Sequence, residues 1–247
     1  MRSFGNEYAF RSGWSRLQHA YIRLFGVVDL PTRIRARAVF SALNRLNCDS
    51  ILDVGAGTGV YAYCASRDPS RRVFALDIDA ERIEAIKRIS RRLGRSNLSA
   101  SCGDETTLDA LPNEGFAVVL AVEVLQYFPD PSRTLRSLHA RLIPGGTIIA
   151  HVPIRTALWP HEHTVFDDEL LHNHFLAAGF EPPDILHTFG RASRALCRAY
   201  TWCASRPALL AAIYPLLLLA IALTPNTFEN GECRLIVARK SIGEGNT

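Results

Sequence analysis

The sequence predicts an α/β fold in which a doubly wound, mostly parallel sheet is covered by helices on both faces. Short apolar runs alternate with helix-like stretches from Ile51 onward, and these runs are nearly continuous in apolar residues. A glycine-rich turn, Gly55–Gly59, follows the first run. Continuous apolar strands are typical of parallel sheets, because each strand–helix–strand crossover places a helix over one face.

The predicted elements follow this alternation in order. The strand-like runs are SILDV, RVFALD, LSASC, FAVVLAV, GTIIAHV and RLIVARK. The helix-like stretches between them are Val60–Arg67, Ala80–Leu93, Pro131–Leu142 and Asp167–Ala178. Short strands alternating with helices of this kind indicate crossover units of a parallel sheet.

Two amphipathic helices are predicted before the first strand. Apolar residues recur at helical spacing from Trp14 to Phe25, and a second helix begins near Pro31, a residue favoured in a first helical turn. The chain is therefore divided into four segments: an N-terminal helical lid at 1–46, a core at 47–190, an apolar helical insertion at 191–230, and the last strand with its tail at 231–247.

Composition excludes several classes of protein. The 247-residue chain is 48% hydrophobic and 21% charged, and its formal net charge is +4. This length suits one α/β domain, and the charge is too small to indicate a nucleic-acid partner. Six cysteines without a CxxC pair predict reduced thiols in a cytoplasmic protein, at positions 48, 64, 102, 197, 203 and 233. The N-terminus lacks the apolar run of a secretory signal, and a transit peptide is a minor alternative.

The segment Ala208–Leu223 is apolar throughout except for Pro215. Its length falls below the roughly 18 residues at which a membrane span becomes the usual interpretation. Three alternatives stay open: buried helices packed on the domain, an interfacial helix that contacts a membrane at its inner face, and a true span. Pro215 is expected to kink or split the helix.

The glycine turn predicts a nucleotide-like ligand with a cationic group. Glycines permit a tight turn and a close approach of the backbone to a ligand. Their spacing here is G-x-G-x-G at 55, 57 and 59, whereas the dinucleotide fingerprint is G-x-G-x-x-G. Asp53 stands two residues before the first glycine, where a carboxylate would repel a pyrophosphate and suit an ammonium or a sulfonium.

Two further acids follow the second and third strands. Asp77 comes 77 − 59 = 18 residues after the last glycine, an offset at which an acid typically accepts hydrogen bonds from ribose hydroxyls. Asp104 follows the third strand and could accept from an adenine amino group, with Glu105 as the alternative. Each acid stands at the carboxyl end of a strand, where open α/β sheets bind their ligands.

Five motifs in order resemble the class I S-adenosylmethionine-dependent methyltransferases, small-molecule branch: LDVGAGTGVY, ALDID, GDETTL, AVEVLQYFPDP and LIPGGTIIAHVP. FDDELLHNHFLAAGFE is similar to the helix and strand that usually follow, and RLIVARK to the antiparallel last strand of a seven-stranded sheet. The stretch from Leu17 to Leu43 loosely resembles the leader of members found with polysaccharide or lipid biosynthesis enzymes. The resemblance implies S-adenosyl-L-methionine as the cofactor.

The same resemblance implies a role for individual residues. Asp53 and the turn would surround the methionine part of the cofactor, Asp77 would bind the ribose, Ile78 would pack on adenine, and Asp104 or Glu105 would meet the adenine amine. Ala121, Val122 and Glu123 would line the sulfonium end. The implied cofactor-binding residues are Asp53, Gly55, Ala56, Gly57, Gly59, Asp77, Ile78, Asp104, Glu105, Val122 and Glu123. The chain departs from the pattern at Gln126, where many members carry His.

Candidate bases lie in the loop after the fifth strand. A base is needed only if the acceptor must lose a proton, and the imidazole of His titrates near neutrality. The predicted catalytic residues are His161, His163 and Glu123, with Glu162 between the two histidines. No metal site is predicted, because His172 and His174 are two positions apart on a helix and face different directions.

The sequence therefore predicts methyl transfer to a small-molecule acceptor, with O-methylation favoured. Because the N-terminal helices and the 191–230 insertion are apolar and edged by arginine, the acceptor could be hydrophobic or lipid-linked and carry anionic groups. Two alternatives remain, a non-catalytic membrane-associated protein that binds S-adenosylmethionine and an oxidoreductase that uses NAD. Peripheral membrane contact through 208–223 is expected for the non-catalytic protein, and it is equally compatible with an active methyltransferase.

Overall fold

A computed structural model describes most of the chain as one α/β unit. The described residues are 4, 6–7, 15–26, 29–104, 106–110, 115–154, 165–227 and 229–242. The helices are α1 Arg16–Phe25, α2 Leu30–Leu43, α3 Val60–Ala65, α4 Ala80–Arg92, α5 Pro131–Arg141, α6 Asp168–Ala177, α7 Arg191–Ala204 and α8 Pro207–Leu223. The strands are β1 Ser50–Val54, β2 Arg72–Asp77, β3 Leu98–Cys102, β4 Phe116–Val122, β5 Leu142–Pro153, β6 Asp184–Thr188 and β7 Cys233–Arg239.

The seven strands form one mixed sheet in the order β3-β2-β1-β4-β5-β7-β6. Strands β1 to β5 pair in parallel, and β7 runs antiparallel to both of its neighbours, β5 and β6. The predicted fold class, with its antiparallel last strand, is confirmed. The order reverses direction at β1 and β4, and open α/β sheets bind ligands at the carboxyl ends of strands at such a point.

Strand β6 is the element that the sequence pattern missed. The resemblance implies a strand within FDDELLHNHFLAAGFE, after its helix, and there the structure has an isolated bridge between Phe180 and Lys240. The strand itself lies at Asp184–Thr188, and its side chains alternate between exposed and partly or fully buried. Because β6 is an edge strand, it lacks the continuous apolar run that identified the central strands.

Most of the other boundaries agree with the predictions to within two residues, but β5 begins at Leu142, four residues before the predicted run GTIIAHV. The predicted helices Val60–Arg67 and Ala80–Leu93 end slightly earlier, at Ala65 and Arg92. Asp79 accepts hydrogen bonds from the first backbone N–H groups of α4, and Ser15 forms a reciprocal capping pair with Gln18 on α1. Side-chain oxygens at these positions satisfy N–H groups that lack partners within the helix, which explains where the helices begin.

Two buried clusters lie on opposite faces of the sheet. Helices α2, α3 and α4 cover one face, where their members include Leu43, Val60 and Ile86. Helices α5 and α6 cover the other face through Leu135 and Phe175. Burial on both faces accounts for the continuous apolar strands.

The N-terminal helices and the 191–230 insertion pack on each other and share a third buried cluster. Leu30 of α2 and Tyr214 of α8 are fully buried there, and the Tyr21 hydroxyl of α1 donates a hydrogen bond to the Ala211 carbonyl at 3.0 Å. Pro215 does not split α8, which continues from Pro207 to Leu223. Within the described part of the chain, no helix has both the length and the apolarity needed to cross a bilayer.

Candidate functional site

The glycine turn after β1 has the backbone conformation that its sequence requires. Gly55, Gly57 and Gly59 have φ angles of +66°, +55° and +82°, in the region that side chains disfavour. A Cβ on Gly55 would lie 2.4 Å from Val124, whereas a Cβ on Gly57 would meet nothing closer than 3.9 Å. Gly55 is therefore fixed by packing, and the space beside Gly57 is open to a ligand.

Asp53, at the end of β1, is a carboxyl group with little solvation. Its side chain is buried and accepts a hydrogen bond from the backbone N–H of Ala62 at 3.1 Å. Burial raises the pKa of Asp53 to about 7, the Ala62 N–H opposes this, and the nearby charge of Asp77 adds to it. A buried acid beside a second acid suits a ligand with a cationic group.

Asp77, at the end of β2, connects this strand by a hydrogen bond to the glycine turn that follows β1. Its Oδ2 accepts from the N–H of Gly57 at 2.7 Å, and its Oδ1 accepts from the N–H of Asp79 at 2.9 Å. Each oxygen retains a second lone pair, as a group that binds ribose hydroxyls requires. Ile78 follows with 75% of its side chain exposed, an apolar surface available for an aromatic ring.

Asp104 follows β3 and is already engaged by its own turn. Its Oδ1 accepts hydrogen bonds from the backbone and hydroxyl groups of Thr106 and Thr107. These hydrogen bonds hold the pKa of Asp104 below its usual value. Oδ1 of Asp104 thus stabilises the turn, and only Oδ2 is left for the proposed contact with the adenine amino group. Glu105 lies outside the described residues.

Glu123 follows β4 and joins a buried polar chain. Its Oε1 accepts from Nδ1 of His151 at 2.6 Å and lies 3.3 Å from Nε of Arg35 on α2. Nε2 of His151 lies 2.9 Å from the hydroxyl of Thr188 on β6. Arg35 and His151 hold the pKa of Glu123 below its usual value, although burial acts in the opposite direction. Glu123 is therefore an anion at neutral pH.

His151, Thr188 and Arg35 are site residues that the sequence reasoning missed. His151 is fully buried, and burial lowers its pKa, so that its imidazole is neutral. The available signal was a single histidine inside the apolar strand GTIIAHV, because a buried polar group usually has hydrogen-bonding partners. Its partners could not be identified, since Glu123 follows β4 and Thr188 belongs to β6.

Three groups that often bind metals meet at the same place. Atoms of Glu123, His151 and Cys233 lie within 4.8 Å of one another. Their arrangement also places Arg35, a permanent cation, against the Glu123 carboxylate. The histidine pair considered from the sequence, His172 and His174, does not form a cluster of this kind among the described residues.

Gln126, where the chain departs from the resemblance, is buried in the short helical turn Leu125–Tyr127. Neither its amide oxygen nor its amide nitrogen has a hydrogen-bond partner within the part of the chain that the structure describes. The predicted bases His161 and His163, and Glu162 between them, fall in 155–164, outside the described residues. Their roles remain predictions.

Comparison with known proteins agrees with this geometry. Residues 52–150 match the family model described as "Methyltransferase domain". The chain is 36% identical over 110 residues to a ubiquinone biosynthesis O-methyltransferase of Paramagnetospirillum magneticum, covering 44% of this chain and 42% of the relative. It is 29% identical over 134 residues to a trans-aconitate 2-methyltransferase of Pseudomonas aeruginosa, covering 51% and 46%. The chain thus spans less than half the length of these curated relatives.

A solved structure shows the same fold over a larger share of the chain. The [4+2]-cyclase SpnF superposes with a TM-score of 0.59 at 22% identity, covering 84% of this chain and 81% of the cyclase. A likeness at this identity concerns the fold alone.

The sheet order and the glycine turn agree with the fold of class I S-adenosylmethionine-dependent methyltransferases, and residues 52–150 match a methyltransferase domain. The cofactor of this class is S-adenosylmethionine. The two buried acids Asp53 and Asp77 fit this cofactor, because it carries cationic groups.

Proposed function

We propose that this chain transfers a methyl group from S-adenosylmethionine to a small-molecule acceptor, with O-methylation as the favoured reaction. The observation that carries the proposal is the pair of buried acids, Asp53 and Asp77, beside a glycine turn at the carboxyl edge of the sheet. The relative named as an O-methyltransferase supports the choice of oxygen.

In this proposal the residues of the chain bind and align. Asp53 compensates the cationic part of the cofactor, Asp77 accepts from its ribose hydroxyls, and the open side of Gly57 admits it closely. The cofactor, when bound, supplies an activated methyl group. Alignment of the acceptor with that methyl group then supplies much of the acceleration.

The residues proposed for proton removal differ in their suitability. Glu123 keeps a lowered pKa because Arg35 and His151 stabilise its anion, which makes it a weak base. We therefore propose His161 or His163 as the base for a hydroxyl acceptor, and Glu123 as a group that lines the methyl-donor end of the site.

A binding and transfer experiment distinguishes the candidate functions. Calorimetric titration with S-adenosylhomocysteine should show binding that Asp53→Asn weakens strongly, and labelled S-adenosylmethionine should label a component of a cell metabolite and lipid extract. Binding of NADH without binding of S-adenosylhomocysteine would favour the oxidoreductase. Cofactor binding without label transfer to any fraction would favour the non-catalytic protein, a relevant outcome because the fold is shared with a protein named as a cyclase.

We also propose that the protein is cytoplasmic, contacts the inner membrane face through 208–223, and acts on a hydrophobic or lipid-linked acceptor. The supporting feature is the outer face of α8, where Leu216, Leu219 and Leu223 are 66%, 58% and 79% exposed. The helix carries no charged residue along its length. An apolar stripe of this kind on a surface helix is typical of interfacial membrane contact.

Helix α7 supplies charge beside this stripe. Arg191, Arg198 and Trp202 are exposed at helical spacing on one face of α7. The Arg206 guanidinium lies 4.6 Å from the ring centre of Trp202 in a cation–π contact, and tryptophan is enriched at membrane interfaces. All six cysteines are free, which agrees with a reducing compartment.

Vesicle sedimentation tests the membrane contact. The intact protein should sediment with vesicles that contain phosphatidylglycerol. A variant with Leu216→Gln, Leu219→Gln and Leu223→Gln should lose at least about a thousandfold in partitioning, because three leucines that each contribute about 1.5 kcal/mol or more when buried amount to at least about 4.5 kcal/mol. The control is Ile143→Gln, which changes an exposed apolar residue at the start of β5. If the unaltered protein stays in the supernatant with anionic vesicles, α8 is not a membrane contact.

A further inference from the structure

The register of the sheet brings the buried polar chain to one face. Val122 of β4 pairs with His151 of β5, His151 pairs with Leu235 of β7, and Cys233 pairs with Thr188 of β6. Directly paired residues, and residues two apart on a strand, share a face of the sheet. His151, Cys233 and Thr188 therefore lie on the face that α2 covers, and His151 reaches over β7 to Thr188.

Glu123 reaches this face through a strained backbone. In a regular strand, Glu123 would alternate away from Val122 and face the opposite side. Its φ of +56° is unusual for a residue with a side chain, and its N–H still donates to the His151 carbonyl at 2.8 Å. A left-handed conformation at a non-glycine residue costs about 1 to 3 kcal/mol and persists only where surrounding contacts enforce it. Here, the contact with His151 enforces it.

Hydrogen bonding then fixes the state of each member. A carboxylate can only accept, so Nδ1 of His151 carries the proton and donates to Glu123. Nε2 of a neutral imidazole is left as an acceptor for the Thr188 hydroxyl. His151 and Thr188 are buried, whereas Arg35 and Glu123 are 20% and 19% exposed. Among the described residues, the Arg35–Glu123 end is the part of this polar chain that a ligand can reach.

We infer that Thr188, His151 and Arg35 are positioning residues that hold the Glu123 carboxylate at the methyl-donor end of the cofactor site. Thr188 orients the His151 ring, and His151 in turn holds the Glu123 carboxylate by a hydrogen bond. Arg35, on α2, holds the same carboxylate by its charge. The contacts of the carboxylate with His151 and Arg35 both use Oε1, and Oε2 has no hydrogen-bond donor among the described residues, which leaves it for the bound small molecule. This inference rests on the proposed function for the identity of that molecule.

The same residues argue against a metal centre. A metal bound by Glu123, His151 and Cys233 would need a ring nitrogen of His151, and both are already hydrogen-bonded. It would also place two cations against one carboxylate, since Arg35 lies 3.3 Å from Oε1. Burial further raises the pKa of the Cys233 thiol, so the thiolate that a metal prefers is disfavoured.

Matched variants test the positioning role. Thr188→Val removes the hydroxyl with little change in shape, and Thr188→Ser retains it. We expect Thr188→Val and Arg35→Met to weaken S-adenosylmethionine binding about tenfold, equivalent to 1.4 kcal/mol, and Thr188→Ser to bind like the unaltered protein. If Thr188→Val lowers only the melting temperature and leaves the affinity unchanged, the chain is structural and the inference is wrong.

A spectroscopic measurement on the unaltered protein keeps the inference testable if a variant fails to fold. The ring ¹⁵N shifts of His151, assigned with His151→Gln, should show the neutral Nδ1–H form at neutral pH. The Nε2–H form, or one equivalent of Zn²⁺ retained by the purified protein, would overturn the hydrogen-bonded chain. Absence of S-adenosylmethionine binding by the unaltered protein would instead refute the proposed function, and the ¹⁵N result would still decide the chain.

Discussion

At the scale of single residues, the site is organised around an acid that is poorly solvated without a ligand. Asp53 is buried, near Asp77, and receives one hydrogen bond, so its pKa rises to about 7. A cationic ligand reverses this situation, because an opposite charge nearby favours the ionised acid. Binding and ionisation of Asp53 should therefore be linked.

The linkage predicts that S-adenosylmethionine binds more tightly as the pH rises through about 7. The cation prefers the carboxylate, so the affinity should increase by about tenfold across this pKa. Calorimetry in two buffers with different ionisation enthalpies should show release of a proton on binding below neutral pH. Asp53→Asn should remove the pH dependence together with most of the affinity, and an affinity independent of pH in the unaltered protein would contradict the linkage.

The same acid predicts how the unliganded protein responds to pH. The folded pKa of Asp53, about 7, is above its unfolded value of 3.8, so its favourable contribution is present at low pH and is lost as the pH rises through about 7. The stability advantage of Asp53→Asn over the unaltered protein should therefore grow by about 2 to 3 kcal/mol between about pH 5 and pH 8. Urea unfolding at both pH values measures it, and an equal difference at both would count against a raised pKa.

Alanine substitutions at two glycines of the turn are predicted to have different effects, one mainly on cofactor binding and the other mainly on stability. Gly57→Ala has room for its Cβ, so it should lose only about 1 to 2 kcal/mol of stability from the left-handed backbone, yet bind the cofactor at least about tenfold more weakly. Gly55→Ala would clash with Val124 and should destabilise more strongly. Thermal unfolding and calorimetry separate the two effects. Unchanged affinity in Gly57→Ala would mean that no ligand approaches there.

At the scale of elements, α8 has two faces of similar composition and different environments. Tyr214, Leu217 and Ile221 are buried against α1 and α2, while Leu216, Leu219 and Leu223 are exposed. Composition alone could not distinguish these faces, because apolar residues occupy every side of the helix. The structure decides between them through the third cluster.

Neighbouring leucines on α8 should therefore respond differently to truncation. Leu217→Ala removes a side chain that is 8% exposed and should lower the free energy of unfolding by about 2 to 4 kcal/mol. Leu216→Ala should change it by less than about 0.5 kcal/mol. Denaturant midpoints measured without lipid would show this, and equal losses would mean that the outer face is covered.

At the scale of the whole molecule, charged contacts tie the N-terminal segment to the core. Glu7 is buried and lies 2.8 Å from Arg67 and 2.9 Å from Arg95, which follow α3 and α4. Phe4 packs nearby, edge-on against the ring of Phe40 and at a tilt against that of Tyr61. These contacts join positions separated by 60 and 88 residues.

Removal of this charge should destabilise the fold as a whole. Glu7→Gln leaves Arg67 and Arg95 without their buried partner and should lower the free energy of unfolding by about 2 to 4 kcal/mol. The control, Glu84→Gln, breaks an exposed pair with Lys87 and should leave the stability almost unchanged, because water screens the two charges. Chemical unfolding of both variants provides the comparison, and similar small losses would show that the Glu7 contacts add little.

The parts that the sequence predicted are those whose signal is local. Gly55–Gly59 and the acids Asp53 and Asp77 follow consecutive strands, so their spacing along the chain was enough to place them at one edge. The His151 chain was not predictable in this way, because it depends on how β5, β7 and β6 pair. Strand β6 was missed for a related reason, since an edge strand has one partner and a mixed pattern of burial.

The position of β7 also affects how the chain can fold during synthesis. β7 is made after β6, yet it pairs between β5 and β6. In a nascent chain that ends before Cys233, the edge of β5 that faces away from β4 has no strand to pair with. An unpaired edge of this kind can pair with strands of other chains. His151 and Thr188 lie on opposite sides of β7 and hydrogen-bond across it, so we expect this hydrogen bond to form only once β7 has paired with β5 and β6.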